Sequence, residues 1–137
     1  MRVAVVFFEG KNREKTLGIA RALAQGIESQ GHQVDIIDGD HDVNSKLTIY
    51  QYIAYGTSAI NYFGGKIAEK ALKFVGGAGV VAGKRSFAFA VKGGMRITKT
   101  LSAIMKVMEQ EGMYLKYSEV LSSPTEAEAI GKRLHID

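Results

Sequence analysis

Apolar and polar positions alternate in blocks along this chain. Val3 to Phe8 is an unbroken apolar run of six residues, rich in β-branched and aromatic side chains, and it predicts a central strand covered on both faces. Four further runs read as strands: Val34–Ile37, Ile49–Tyr55, Ser86–Val91 and Tyr114–Leu121. Between them the apolar residues change to helical spacing. Leu17, Ala20, Leu23, Ala24 and Ile27 make one face, ended by the glycine of Gln30-Gly31-His32. Ile67, Ala68, Ala71, Leu72 and Val75 make a second, closed by Gly76 and Gly77, and Leu101, Ile104, Met105 and Met108 make a third that stops at Gly112. The last helix carries Ala127, Ile130 and Leu134, and Ser123-Pro124-Thr125-Glu126 announces it as a capping box with proline at the first helical position.

Strands that alternate with helices throughout are the pattern of βαβ units and a parallel sheet. With right-handed crossovers this predicts a three-layer α/β/α sandwich around a doubly wound five-stranded parallel sheet, for which 2-1-3-4-5 is the order taken, in one domain spanning residues 1–137. Asp38 to Lys46 links the second and third strands, with a short helical turn expected around Val43. Ligands of such sheets sit at the carboxyl ends of the strands, which selects three loops: 9–16, 56–65 and 92–98. In that strand order the first and third strands are neighbours across the topological switch point, so their loops flank one crevice.

Composition narrows the chemistry. The chain has 137 residues, 46% hydrophobic and 23% charged, an ordinary balance for one globular core. It has no cysteine, which removes disulfides, thiolate metal sites and cysteine nucleophiles, so redox chemistry needs a bound cofactor. The apolar start is too short to span a membrane and lacks a signal-peptide cleavage pattern, so the expected location is the cytoplasm, with no membrane partner. A formal charge of +4 favours anionic partners. Nucleic acid is not expected among them, because the basic residues are dispersed and not interleaved with aromatics.

Three stretches carry a family resemblance. Residues 1–40, MRVAVVFFEGKNREKTLGIARALAQGIESQGHQVDIIDGD, resemble the amino-terminal unit of a flavodoxin: strand, phosphate loop, helix, and a second strand ending in an acidic residue. YGTSAINYFGGKIAEKALKFV resembles that family's second flavin loop, where a Gly-Thr/Ser pair leaves the strand and an aromatic lies beside the flavin ring. GGMRITKTLSAIMKVMEQEGMYL is similar to its third loop and fourth helix. The resemblance implies noncovalent FMN, with the first loop around the phosphate and the other two bracketing the ring. The first loop departs from the family's Ser/Thr-x-Thr-Gly-x-Thr, because Lys11-Asn12-Arg13-Glu14-Lys15 covers its second half and Thr16 is the only hydroxyl.

Phosphate binding needs main-chain N–H groups at a helix start together with donors or cations. Gly10 permits an unusual turn, Asn12 is a good helix cap, and Lys11, Arg13 and Lys15 bring positive charge, while Glu9 and Glu14 oppose it. In the second loop Thr57, Ser58 and Asn61 are candidate donors to polar ring edges, and Tyr62 and Phe63 are candidates for stacking. In the third, Lys92, Gly93 and Gly94 allow close main-chain approach and Arg96 adds charge. Gly77-Ala78-Gly79-Val80-Val81-Ala82 spells a dinucleotide fingerprint, but a helix precedes it and a strand follows, so it reads as a plain loop. Asp38, Asp40, His41 and Asp42 lack a second ligand cluster, so no metal site is expected.

Two functions follow. The first is an FMN-binding electron-transfer protein or small flavin-dependent redox domain. Lys11, Arg13 and Arg96 near the ring would make its flavin less reducing than one in an acidic site, and its redox partner would present an acidic docking face. The second is a binding or regulatory module of the same fold that has lost flavin and uses the crevice for another anion or a protein. A receiver-type acidic pocket is disfavoured, since Glu9 stands alone after the first strand and Tyr55-Gly56-Thr57 follows the third.

Overall fold

The computed structural model describes residues 1–10, 12–58, 65–93 and 97–137, and of residues 65–68 only the backbone. Nine elements follow in order, strand and helix alternating except where β2 leads to β3 without a helix between them: β1 (Arg2–Phe8), α1 (Arg13–Glu28), β2 (Gln33–Asp38), β3 (Tyr52–Ser58), α2 (Gly65–Gly76), β4 (Arg85–Val91), α3 (Ile97–Gln110), β5 (Tyr114–Leu121) and α4 (Pro124–Arg133). All strands are parallel, in the order β2-β1-β3-β4-β5.

Side chains of a strand point alternately to its two faces, so the apolar run of β1 serves two cores. Val3, Val5 and Phe7 pack with α1 and α4, through Ile19, Leu23, Ile27 and Ile130. Ala4, Val6 and Phe8 pack on the other side with α2 and α3, through Phe74, Val75, Ile104 and Met108. Phe8, Tyr55 and Phe74 form an edge-on aromatic cluster there, with ring centroids 5.4–6.3 Å apart. The Tyr55 hydroxyl is satisfied by the Ala71 carbonyl at 2.6 Å.

Helix starts follow the capping chemistry. The Asn12 side chain accepts from the Lys15 N–H at 3.1 Å and fixes the entry to α1. At α4 the Ser123 hydroxyl accepts from the Glu126 N–H at 3.2 Å, whereas the Glu126 carboxylate accepts from the Ser122 hydroxyl. Half of the expected capping box is therefore formed as written, and its other half is turned to the preceding serine.

The third strand corrects one expectation. It runs Tyr52–Ser58, three residues further along than the apolar run from Ile49 suggested. Residues 47–50 form a turn instead, held by the Leu47 N–H on the Ala78 carbonyl and by the Lys84 ammonium, which donates to the Thr48 and Tyr50 carbonyls at 2.7 and 2.5 Å. Ile49 is half exposed. At the far end Gly56, Thr57 and Ser58 are strand rather than loop, paired with Phe7 and Phe8 on one side and Phe89 to Val91 on the other. Gly56 is needed there, since a Cβ would lie 2.4 Å from the Phe89 carbonyl oxygen. Leu72, expected on the buried face of α2, is exposed.

Residues 77–82 form the loop between α2 and β4, so the fingerprint letters lie outside a strand–helix turn. Gly79 has φ +87° and packs against Thr48, whose hydroxyl accepts from the Val80 N–H.

Candidate functional site

The strand order places the carboxyl ends of β1 and β3 side by side, Phe8 opposite Thr57. The chain leaves β1 through Gly10 at φ +59°, a left-handed turn that brings it against the end of β3. A Cβ on Gly10 would lie 2.0 Å from Ser58 Oγ and 2.7 Å from the Ser58 carbonyl oxygen, so only glycine passes. Asn12 then caps α1. The cap uses the Lys15 N–H, and the Asn12 carbonyl accepts from Thr16, so among the described residues the amides of Arg13 and Glu14 are the first-turn donors left at the helix start. That is the main-chain part of an anion seat.

The side chains around it are committed to the protein itself. Arg13 donates to Glu9 at 3.0 Å and to Asp38 at 2.5 Å, and its guanidinium lies 5.7 Å from the Phe7 ring centroid. Asp38 also accepts from the His41 ring at 2.8 Å and from the Asp40 and His41 amides. Partial burial pushes the Asp38 carboxyl up, but the bonds from Arg13, His41 and Asp40 outweigh it and hold the group below its ordinary range. Asp40 accepts from the Glu9 N–H at 2.8 Å and from Lys70 at 3.2 Å. The cation that sequence places beside a phosphate therefore arrives already balanced by two carboxylates.

The hydroxyls are spent likewise. Thr16 is buried and donates to the Asn12 and Glu9 carbonyls at 2.8 and 3.2 Å. Thr57 donates to the Phe8 carbonyl at 3.0 Å and Ser58 to the Glu9 carbonyl at 2.8 Å. These three hydroxyls brace the turn from β1 into α1. Lys15 reaches across to the loop after β4, where its ammonium donates to the Lys92 carbonyl at 2.6 Å, while Gly93 is exposed beside it. Lys11, Asn61, Tyr62, Phe63, Gly94 and Arg96 lie outside the described residues.

Glu9, Gly10, Asn12, Arg13, Lys15, Thr16, Thr57, Ser58, Lys92 and Gly93 thus come together around the ends of β1, β3 and β4. Asp38 and Asp40 join them, a role that sequence reading missed. The signal was the acidic end of the second strand: parallel pairing sets Asp38 opposite Phe7, within reach of Arg13. Among the described residues no three His, Asp or Glu side chains gather as a metal site, and no helix is long and apolar enough to cross a membrane.

No protein-family model matches the chain, and no curated protein matches it in sequence. Solved structures do match in shape. A flavodoxin from the domain Archaea superposes with a TM-score of 0.70 at 20% identity, over 96% of this chain and 94% of that one. Flavodoxin 1 from Bacillus cereus gives 0.68 at 14% identity, over 98% and 99%. The fold is that of the flavodoxins. Its use inside larger chains is represented by the flavodiiron protein from Giardia intestinalis, with a TM-score of 0.67 at 18% identity, where the match covers 97% of this chain and 35% of that one. In this flavodoxin-like fold the β1–α1 turn leaves main-chain amides at the start of α1, while Arg13 and Thr16 are bonded within the protein.

Proposed function

We propose that the protein binds FMN at the carboxyl ends of β1, β3 and β4 and serves as an electron-transfer protein or flavin redox domain. The observation that carries this reading is the left-handed turn at Gly10 leading into the Asn12 cap, at the switch point of a 2-1-3-4-5 sheet. The amides of Arg13 and Glu14 would hold the phosphate, Gly93 would give the ring close main-chain approach, and Tyr62 or Phe63 would stack on it. FMN, when bound, supplies the electron-carrying chemistry. Glu9 and Asp38 balance Arg13, so any potential-raising charge falls to Lys11 and Arg96. A redox partner with an acidic docking face fits the net charge of +4, and its association would weaken as salt rises.

A second reading has its own observation in its favour. Arg13, Lys15, Thr16, Thr57 and Ser58 all spend their polar groups inside the protein, as expected of a module that uses the crevice for another anion or a protein surface. Titration of the purified protein with FMN and with riboflavin separates the two. Saturable fluorescence quenching by FMN, at least about tenfold weaker for riboflavin and lost in Tyr62→Ala, supports the first reading; tenfold corresponds to about 1.4 kcal/mol from the phosphate. No quenching at millimolar FMN sinks it and leaves the second.

A further inference from the structure

The opposite end of the sheet carries a second concave site. Helix α4 packs chiefly on α1 and scarcely on β5. This leaves a cavity of about 420 Å³ between the start of β5 and the last turn of α4, within the size range of small-molecule sites. Leu134 and Ile130 give it an apolar wall, and the Tyr117 ring gives it an aromatic one. That ring is held in place by stacking on Phe87, with centroids 5.7 Å apart and planes 16° apart.

Tyr52 forms the floor. It is only 1% exposed, and among the described residues its hydroxyl has no hydrogen-bond partner. Among those residues no fully enclosed side-chain polar atom lacks a partner. The small accessible part of Tyr52 is therefore its hydroxyl, and that hydroxyl opens into the cavity. Burial pushes its ionisation well above the ordinary phenol range, so it stays a donor at any physiological pH. A buried phenol without a partner is an unmet bond that a ligand oxygen can complete.

The charges at the mouth favour an anion. Arg133 and Lys116 line it together with His135, against one carboxylate, Glu119, which already accepts from the Tyr117 hydroxyl at 2.6 Å. Lys116 leans on the Tyr114 ring, 4.9 Å from its centroid, which leaves Arg133 as the better-placed cation. We propose that this cavity is a binding site for a small planar carboxylate, its ring against Tyr117 and Leu134, its carboxylate between Arg133 and the Tyr52 hydroxyl. The site lies at the amino-terminal ends of the strands, so it stands whether or not flavin binds at the other end.

Titration of the intact protein with 2-naphthoate, followed by amide chemical shifts, tests it. Saturable binding is expected, with shifts clustered at Lys116 to Glu119 and Ile130 to His135. Tyr52→Phe and Arg133→Gln should each weaken it about fivefold or more, the scale of one hydrogen bond. The neutral 2-naphthalenemethanol should bind at least about fivefold more weakly than the carboxylate, by loss of the ionic contact. Unchanged thermal midpoints show both variants folded, and Arg133→Gln alone serves if Tyr52→Phe does not fold. Absence of saturation by about 5 mM, a range in which a fragment with a good polar anchor binds, overturns the proposal. So do shifts elsewhere on the molecule, or equal affinity in the folded variants.

Discussion

Asn12 and Arg13 are adjacent but do opposite things to the crevice. Asn12 turns inward to close the helix start, leaving main-chain donors at its mouth, while Arg13 turns back to Glu9 and Asp38 and withdraws its charge. This pairing has a pH signature. Asp38 has a depressed folded-state ionisation, so its contribution to stability is present above the ordinary carboxylate range, about pH 4, and is lost as pH falls through the lower folded value. Asp38→Asn is therefore expected to be less stable than the parent at pH 6, with the gap narrowing below about pH 4. Urea midpoints measured at the two pH values check this, and a gap that stays constant or widens in acid contradicts it. The residues of the first loop were legible in the sequence, but their partners were not. Asp38 lies 25 positions from Arg13, and only the parallel register of β1 on β2 brings the two together.

At the scale of elements, the contact between α1 and α4 depends on two glycines. A Cβ on Gly26 would stand 2.2 Å from the Glu128 carbonyl oxygen, and one on Gly131 would stand 2.4 Å from the Leu23 carbonyl oxygen. The helices cross with their backbones in near contact, and the Gln30 side chain donates from α1's end to the Gly131 and Leu134 carbonyls. Gly26→Ala gains helix propensity, worth about 1 kcal/mol, but must push two backbones apart. A net loss of about 1–3 kcal/mol is expected, read as a lower urea midpoint; a more stable variant would show that the helices separate freely. Element types were readable because buried strands and amphipathic helices have different periods. The start of β3 was not, because Ile49 and Tyr50 look like strand letters while Lys84 and Ala78 hold them in a turn. Gly26 and Gly131 gave no signal, since helix crossing is invisible to local pattern.

On the scale of the whole molecule, one sheet separates two cores that share no side chain among the described residues. Ile27 is fully buried on the α1 and α4 side, and Ile104 is fully buried on the α2 and α3 side. Ile27→Val and Ile104→Val are each expected to cost about 0.5–1.5 kcal/mol, and together the sum to within about 0.5 kcal/mol, as for independent sites. Denaturant unfolding of both single variants and the double variant measures this, and a coupling above about 1 kcal/mol would mean that the sheet transmits strain between its faces. The layered parallel architecture was legible from the alternation of strands and helices, because right-handed crossovers leave few arrangements for five parallel strands, of which β2-β1-β3-β4-β5 is one.

The same sheet has two open edges, β2 and β5, and each limits its own growth. Parallel pairing of β5 with β4 slips between Ser86 and Phe87, where Leu115 and Tyr117 take successive partners and Lys116 is left over. Asp35 and Asp38 occupy the other edge. A strand from a neighbouring molecule would meet a broken ladder at one side and ion-paired carboxylates at the other, the means by which natural sheets avoid joining edge to edge. The irregularity at Lys116 thus acts as a stop signal, keeping a five-stranded sheet from becoming the seed of a fibre.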